Sequence, residues 1–364
     1  MKKRVKYLTK VSQIEQLSNE EKEALKEVEK KYIFRSNDYY NSLIDWNDPN
    51  DPLRRLVIPS LSELEEWGSL DASNEQKYTV AKGLEHKYKD TALILFNDIC
   101  GAYCRYCFRK RLFIKGNDDT VRDLKEAVEY IKNHKEIQNV LITGGDPLVA
   151  STSKIEPLIK SLREIDHVGV IRIGTKMLSF NPYRVLDDEK FIEMLKKYSL
   201  PSKRIYIMAH FSHPKELTPQ AIEAVDLILK AGAIINNQTP MIKGVNDSVE
   251  VMTQLFKKLV EIGVSPYYIF ACRPTVGNKD YAVEIERAYE IFNEARCNVA
   301  GIASRAKFVM SHESGKVEVL GMDSDNIYFR YHRAAKESDC GKLLKYKRDK
   351  NAFWFDDYLK QEEK

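Results

Sequence analysis

Three of the six cysteines in this chain of 364 residues fall inside one short stretch, Cys100, Cys104 and Cys107 of "CGAYCRYCFRKR". The C-x3-C-x2-C spacing crowds three soft thiolates onto one loop, and clustered cysteines in a reducing compartment point to metal or redox chemistry rather than to bridges. A [4Fe-4S] cluster takes one ligand per iron, usually four cysteines. With three, the fourth iron is open to chelate a small molecule, and the known partner of such a site is S-adenosylmethionine (SAM), held through its amino and carboxylate groups. The alternatives are incidental burial and a structural zinc loop, which usually joins a pair of close cysteines to a second pair or to histidines far along the chain. Cys272 and Cys297 read as core residues, since free cysteine packs as a small hydrophobe. Cys340 carries no signal.

Further candidates lie where strands are expected to end. The stretch "ITGGDP" supplies Gly144 and Gly145, which let the backbone approach a ligand, and Asp146, a carboxylate suited to an amino group such as that of SAM. Alone it is an ordinary turn. Thr175, Lys176, His210, His213, Asn236 and Gln238 can line the same mouth. The pair in "HFSH" admits a metal reading and equally a hydrogen-bonded corner.

These residues need elements that bring them together. From about Thr91 to Arg296 apolar, β-branched runs alternate with segments of helical period, the pattern of repeated βα units and a parallel sheet. Six strands are expected, beginning "TALILF", "NVLIT", "VGVIRIG", "RIYIMAHF", "AIINNQ" and "YYIFAC". The fold class is therefore α/β, a partial (βα)6 TIM-like barrel, with the cysteine loop at the C-terminal end of its first strand, where barrel enzymes place their chemistry. Residues 1–85 read as an N-terminal helical accessory region, 86–300 as the barrel and 301–364 as a C-terminal extension. In that extension "KVEVLGMDSDNIYFRYHR" makes two strands around a polar turn, and an aromatic, charged tail packs on the barrel or on a second copy of the chain. With 58 basic against 54 acidic residues the charge is too balanced to argue for nucleic acid. The basic start "MKKRVKYLTK" leads into no apolar run and no segment approaches ~18 apolar residues, so a cytoplasmic protein with no membrane partner is expected.

With the cysteine motif, the barrel and "GGDP" in hand, the chain resembles the radical SAM superfamily and, within it, the lysine 2,3-aminomutase family. The resemblance runs from about Asn50 to His332 through "NDPLRRLVIPS", "LEHKYKDTALI", "CGAYCRYCFRKR", "VLITGGDPL", "VIRIGT", "HFSHPKELT", "NNQTPMIKGVNDSVEVM" and "SPYYIFAC". It implies a radical SAM barrel in which Cys100, Cys104 and Cys107 bind a [4Fe-4S] cluster, Gly144, Gly145 and Asp146 help to hold SAM with Thr175 nearby, and Arg109 meets the carboxylate of a small amino-acid-like substrate. It also implies reductive cleavage of SAM to a 5′-deoxyadenosyl radical that abstracts hydrogen, and a reduced flavodoxin- or ferredoxin-like protein as electron donor.

Two departures bear on substrate and coenzyme. The family's glycine-rich Pro-Gly-Gly-Gly-Gly-Lys segment, whose lysine anchors pyridoxal phosphate, is replaced by "NVAGIASRAKFVMSHESGKVEV". Lys307 is left as a displaced candidate and Lys316 falls on a later, exposed-looking strand, while Thr91 stands where the family often has a basic phosphate partner. The residue after Cys272 is Arg273, where lysine-specific members have an aspartate for the substrate's side-chain ammonium. Two like charges ~4 Å apart cost on the order of 4 kcal/mol at an effective dielectric of ~20, enough to reject lysine by several hundredfold. Arg273 suits an acidic compound better. Three readings remain open on the sequence: an aminomutase-like enzyme, a coenzyme-independent radical SAM isomerase or modifying enzyme acting on an acidic substrate, and a non-enzymatic iron–sulfur sensor.

Overall fold

The computed structural model describes residues 4–114, 116–121 and 123–361. A small pairing of β1 (Tyr7–Leu8) with β2 (Ser36–Asn37) stands apart from a twelve-stranded sheet whose order follows the chain. That sheet runs from β3 (Thr79–Ala81) and β4 (Leu84–Tyr88) through β5 (Thr91–Asn97), β6 (Asn139–Gly144), β7 (Val170–Thr175), β8 (Ile205–Ala209), β9 (Ile234–Pro240), β10 (Ser265–Phe270) and β11 (Lys307–His312) to β12 (Gly315–Met322), β13 (Asn326–Ala334) and β14 (Leu343–Lys347). Strands β5 to β11 are parallel, and antiparallel strands extend both edges. The result is a partial TIM-like barrel. The six expected strands are β5 to β10, and the two expected in the C-terminal stretch are β12 and β13. A seventh parallel strand, β11, carries "KFVMSH", a stretch too short to announce itself by period.

Alternation decides what each barrel strand does. In β7, Ile171 and Ile173 are fully buried among helix residues such as Leu162 and Leu195, each worth roughly 1.5–3 kcal/mol, while Arg172 and Gly174 face the barrel's central cavity. Local chemistry starts the covering helices. Asp123 accepts from Lys125 N at 2.8 Å, and Thr218 accepts from Ala221 N at 3.2 Å just ahead of Pro219.

The N-terminal residues do more than cover the barrel. The helix Asn19–Lys31, opened by the Ser18 and Glu21 capping box, buries Leu25 and Val28 in a cluster with Leu53, Leu56 and Val57 that continues into Ala102, Tyr106 and Cys272. The tail resolves onto the sheet of its own chain. Phe355 sits edge-on to Phe329 at 5.5 Å and to Tyr346 at 5.9 Å, ring centroid to ring centroid. Cys297 departs from the core expectation, lying exposed at the end of the helix Ile285–Cys297. Among the described residues no helix is long and apolar enough to cross a membrane.

Candidate active site

One cavity of about 330 Å³ runs inside the barrel, lined by Cys100, Cys104 and Cys107 beyond the end of β5 and by Thr91 at its start. A seven-residue strand covers roughly 20 Å, so the cavity reaches from one mouth of the barrel toward the other. Its size falls within the range of small-molecule sites.

The cysteine loop is tied down by residues far away in the chain. Glu63 accepts from Arg105 Nε and Nη2, both at 2.8 Å, and from Lys110 Nζ at 3.4 Å, with all three side chains buried. Tyr103 N donates to Arg35 O and Arg105 N to Leu56 O. The three thiols are pushed above their ordinary pKa, Cys104 to about 12, chiefly by burial, with neighbouring thiols adding to it at Cys100 and Cys104. Three crowded thiols in such a place stay neutral until metal charge ionises them. A [4Fe-4S] cluster asks for one thiolate on each of three irons, and three cysteines on one loop are the donor set for that.

Gly144, Gly145, Asp146 and Thr175 all line the cavity, but their contacts are largely with the protein itself. Gly144 has φ +121°, and a Cβ there would lie 2.4 Å from Asn97 O, while one on Gly145 would lie 2.4 Å from Ile99 O. The glycines thus seat β6 against the segment that launches the cysteine loop. The Asp146 carboxylate accepts from Leu148 N at 3.0 Å, Lys176 N at 2.6 Å and Thr175 Oγ1 at 2.8 Å, and burial raises its pKa to about 6 despite these bonds. Lys176 Nζ donates to His210 O at 2.8 Å and Glu216 Oε1 at 2.7 Å. His210 meets Tyr106 Oη at 3.1 Å, whereas His213 caps the turn at Lys215 N. The "HFSH" pair is therefore a hydrogen-bonded corner. Of the two amides on β9, Gln238 lines the cavity and Asn236 does not.

A second charged group comes from the segment before the barrel. Glu75 accepts from Arg109 Nη2 at 3.0 Å and from Arg111 Nη1 at 2.6 Å. Burial works against its charge, yet Arg109, Arg111 and Arg273 outweigh it and hold the carboxyl at about 2. Arg109 also donates to Thr143 Oγ1 at 3.3 Å. Arg273 donates to the Ser73 hydroxyl and lies 3.8 Å over the Phe108 ring, with no acidic side chain paired to it among the described residues. Burial pulls it down to about 10, still a cation near neutral pH.

The far end of the cavity was not visible in the motifs. Lys316, expected on an exposed strand, lies on the cavity wall, and Lys307, expected as the displaced coenzyme lysine, does not line it. The Lys307 ammonium is held by Glu318 at 3.0 and 3.1 Å. Arg172 from β7 and Arg333 from β13 also face the cavity, and Arg333 reaches Asp90 and Thr91 Oγ1. Tyr88 Oη and Glu85 Oε1, buried polar atoms of the wall, lack a hydrogen-bond partner among the described residues.

A three-cysteine loop at the C-terminal mouth of a partial barrel is the arrangement of a radical SAM enzyme, and residues 94–256 match the model of the Radical SAM superfamily. The chain is 53% identical over 98% of its length to an Aquifex aeolicus protein named "Putative L-lysine 2,3-aminomutase", covering 96% of that protein. It is 37% identical over 78% of its length to the L-lysine 2,3-aminomutase of Clostridium subterminale, covering 68% of it. It is also 35% identical over 84% of its length to the glutamate 2,3-aminomutase of Clostridioides difficile, covering 71% of it. The chain belongs to the lysine 2,3-aminomutase family of radical SAM enzymes, and membership carries with it a [4Fe-4S] cluster and SAM.

Proposed function

We propose that this enzyme is an aminomutase-type isomerase acting on a small amino acid with an acidic side chain, and that it does not act on free lysine. The observation that carries the reading is Arg273, a cation inside the cavity that makes no ion pair with an acid among the described residues and feels Glu75 only at longer range. It stands beside Arg109, which pairs with Glu75, while Arg111 meets Glu75, Asp71 and Asp119, so the uncompensated charge is that of Arg273. Glu85 does not balance this excess, because burial, with Glu75 nearby, raises its pKa to about 8 and leaves it neutral. An entering carboxylate offsets the positive charge, and an ammonium adds to it. That a glutamate 2,3-aminomutase is among the relatives supports an acidic substrate.

The cluster and SAM, when bound at Cys100, Cys104 and Cys107, supply the radical that removes hydrogen. The chain's own residues hold and orient. Glu63 fixes the loop, Asp146 and Thr175 fix the adjoining strand ends, and Arg109 and Arg273 receive the carboxylates.

The test is release of 5′-deoxyadenosine above the uncoupled background, measured with acidic amino acids and with lysine on wild type and Arg273→Asp in parallel. Acid-dependent release by the wild type that the variant loses supports the reading. Turnover of lysine by the wild type, or the same preferences in both proteins, overturns it.

A further inference from the structure

The cavity end away from the cysteines gathers cations that have almost no acids to meet. Lys316 Nζ touches Ser311 Oγ at 3.3 Å and lies 5.3 and 5.0 Å over the rings of Tyr268 and Phe270. Arg172 Nε donates to the neutral amide of Asn139 at 2.9 Å. Lys87 donates to His312 O at 2.6 Å. Among the described residues only Arg333 of this group pairs with a carboxylate, that of Asp90. Lys316 and Arg333 are directly opposed on β12 and β13, and Arg333 covers the Tyr88 ring at 4.7 Å, beside that residue's unpartnered hydroxyl.

Resting on the aminomutase reading, we propose that Lys316 is the amine that anchors pyridoxal phosphate in this enzyme and that Arg172, Arg333 and Tyr88 receive its phosphate. The anchor has thereby moved from a glycine-rich loop to the β12–β13 hairpin, which accounts for a chain of this family without the glycine run. Burial, and then the surrounding Arg273, Lys87, Arg172 and Arg333, drive the Lys316 amine well below its ordinary pKa. A neutral amine is the form that attacks an aldehyde. Lys316 Nζ adds to the aldehyde carbon, a carbon–nitrogen double bond forms, and one water leaves with no change of oxidation state. A bound phosphate dianion offsets the charge of the two arginines.

The experiment is mass mapping of the full-length wild-type protein after incubation with pyridoxal phosphate and borohydride, which delivers hydride to the carbon–nitrogen bond and makes it permanent. The phosphopyridoxyl group is expected on Lys316, and the visible absorbance of the unreduced adduct is expected to persist in Lys307→Ala. Pyridoxal without phosphate should label at least tenfold less, and Arg172→Met and Arg333→Met should each weaken pyridoxal phosphate binding at least tenfold. Labelling on Lys307, on Lys87 or only on surface lysines, or no labelling, overturns the proposal, and mapping the wild type does not depend on any variant folding. Release of 5′-deoxyadenosine with acidic amino acids, read on the same preparation, reports separately on the aminomutase reading. Labelled Lys316 without acid preference sinks that reading alone, and acid preference without labelled Lys316 sinks the anchor alone.

Discussion

The two ends of the cavity handle charge in opposite ways. Around the cysteine loop nearly every cation has its acid: Arg105 and Lys110 share Glu63, Arg109 and Arg111 share Glu75, and Lys176 has Glu216. At the other end Lys316, Arg172 and Lys87 hydrogen-bond only to neutral groups among the described residues. Paired charges at the first end build a rigid frame for a cofactor held by other atoms. Unpaired charges at the second raise the energy of the empty site and are relieved by an anionic ligand. Frame and receptor are thus told apart by who satisfies the charge, and Arg109, paired to Glu75 yet on the cavity wall, serves as both.

The largest way to break this comparison is to remove the metal ligands. Replacing Cys100, Cys104 and Cys107 together by alanine should abolish iron loading and 5′-deoxyadenosine formation. The circular dichroism spectrum should stay close to wild type, because the loop is held by Glu63 and by backbone bonds to residues 35 and 56. Full SAM cleavage by this variant would remove the cluster from the account.

Next comes the frame itself. Glu63→Ala leaves Arg105 and Lys110 buried with only the carbonyls of Ile33 and Gly277 and no carboxylate, a defect that costs about 3–5 kcal/mol. The unfolding midpoint should fall accordingly, and iron retention should fall with it. A variant as stable as wild type would show that the ion pair is not what holds the loop.

A smaller and sharper effect concerns Glu75. Its carboxyl is depressed to about 2 from an ordinary 4.5, so its contribution to stability is present above about pH 4.5 and is lost as pH falls toward about 2. Linkage sets that contribution at about 3 kcal/mol. Denaturant titrations across this window should show a shallower acid loss in Glu75→Gln than in wild type. Equal slopes would mean that Arg109 and Arg111 do not hold the acid as the geometry indicates.

What was legible in the sequence follows the same division. The cysteine spacing, "GGDP" and the alternation of β5 to β10 are local patterns, and each led to the right place in the fold. Asp146 and the two glycines were legible as residues of the cavity wall but not as a brace, since their partners at residues 97–99, 148 and 176 are set by the parallel register. Glu63 and Glu75 were hidden in a segment read as accessory, because nothing near them in the chain signals ion pairing with Arg105 or Arg109. Lys316 was misjudged for a related reason. A strand of mixed polarity looks exposed until β11, a seventh parallel strand, carries it to the cavity wall.

The central claim is that radical chemistry in this cavity is directed at an acidic substrate selected by Arg273. The most direct measurement is the mass of 5′-deoxyadenosine formed anaerobically by the reconstituted wild-type enzyme with uniformly deuterated glutamate, aspartate or lysine. The account predicts deuterium in 5′-deoxyadenosine from an acidic amino acid and none from lysine. Deuterium arriving from lysine, or only unlabelled 5′-deoxyadenosine with both acids, would contradict it.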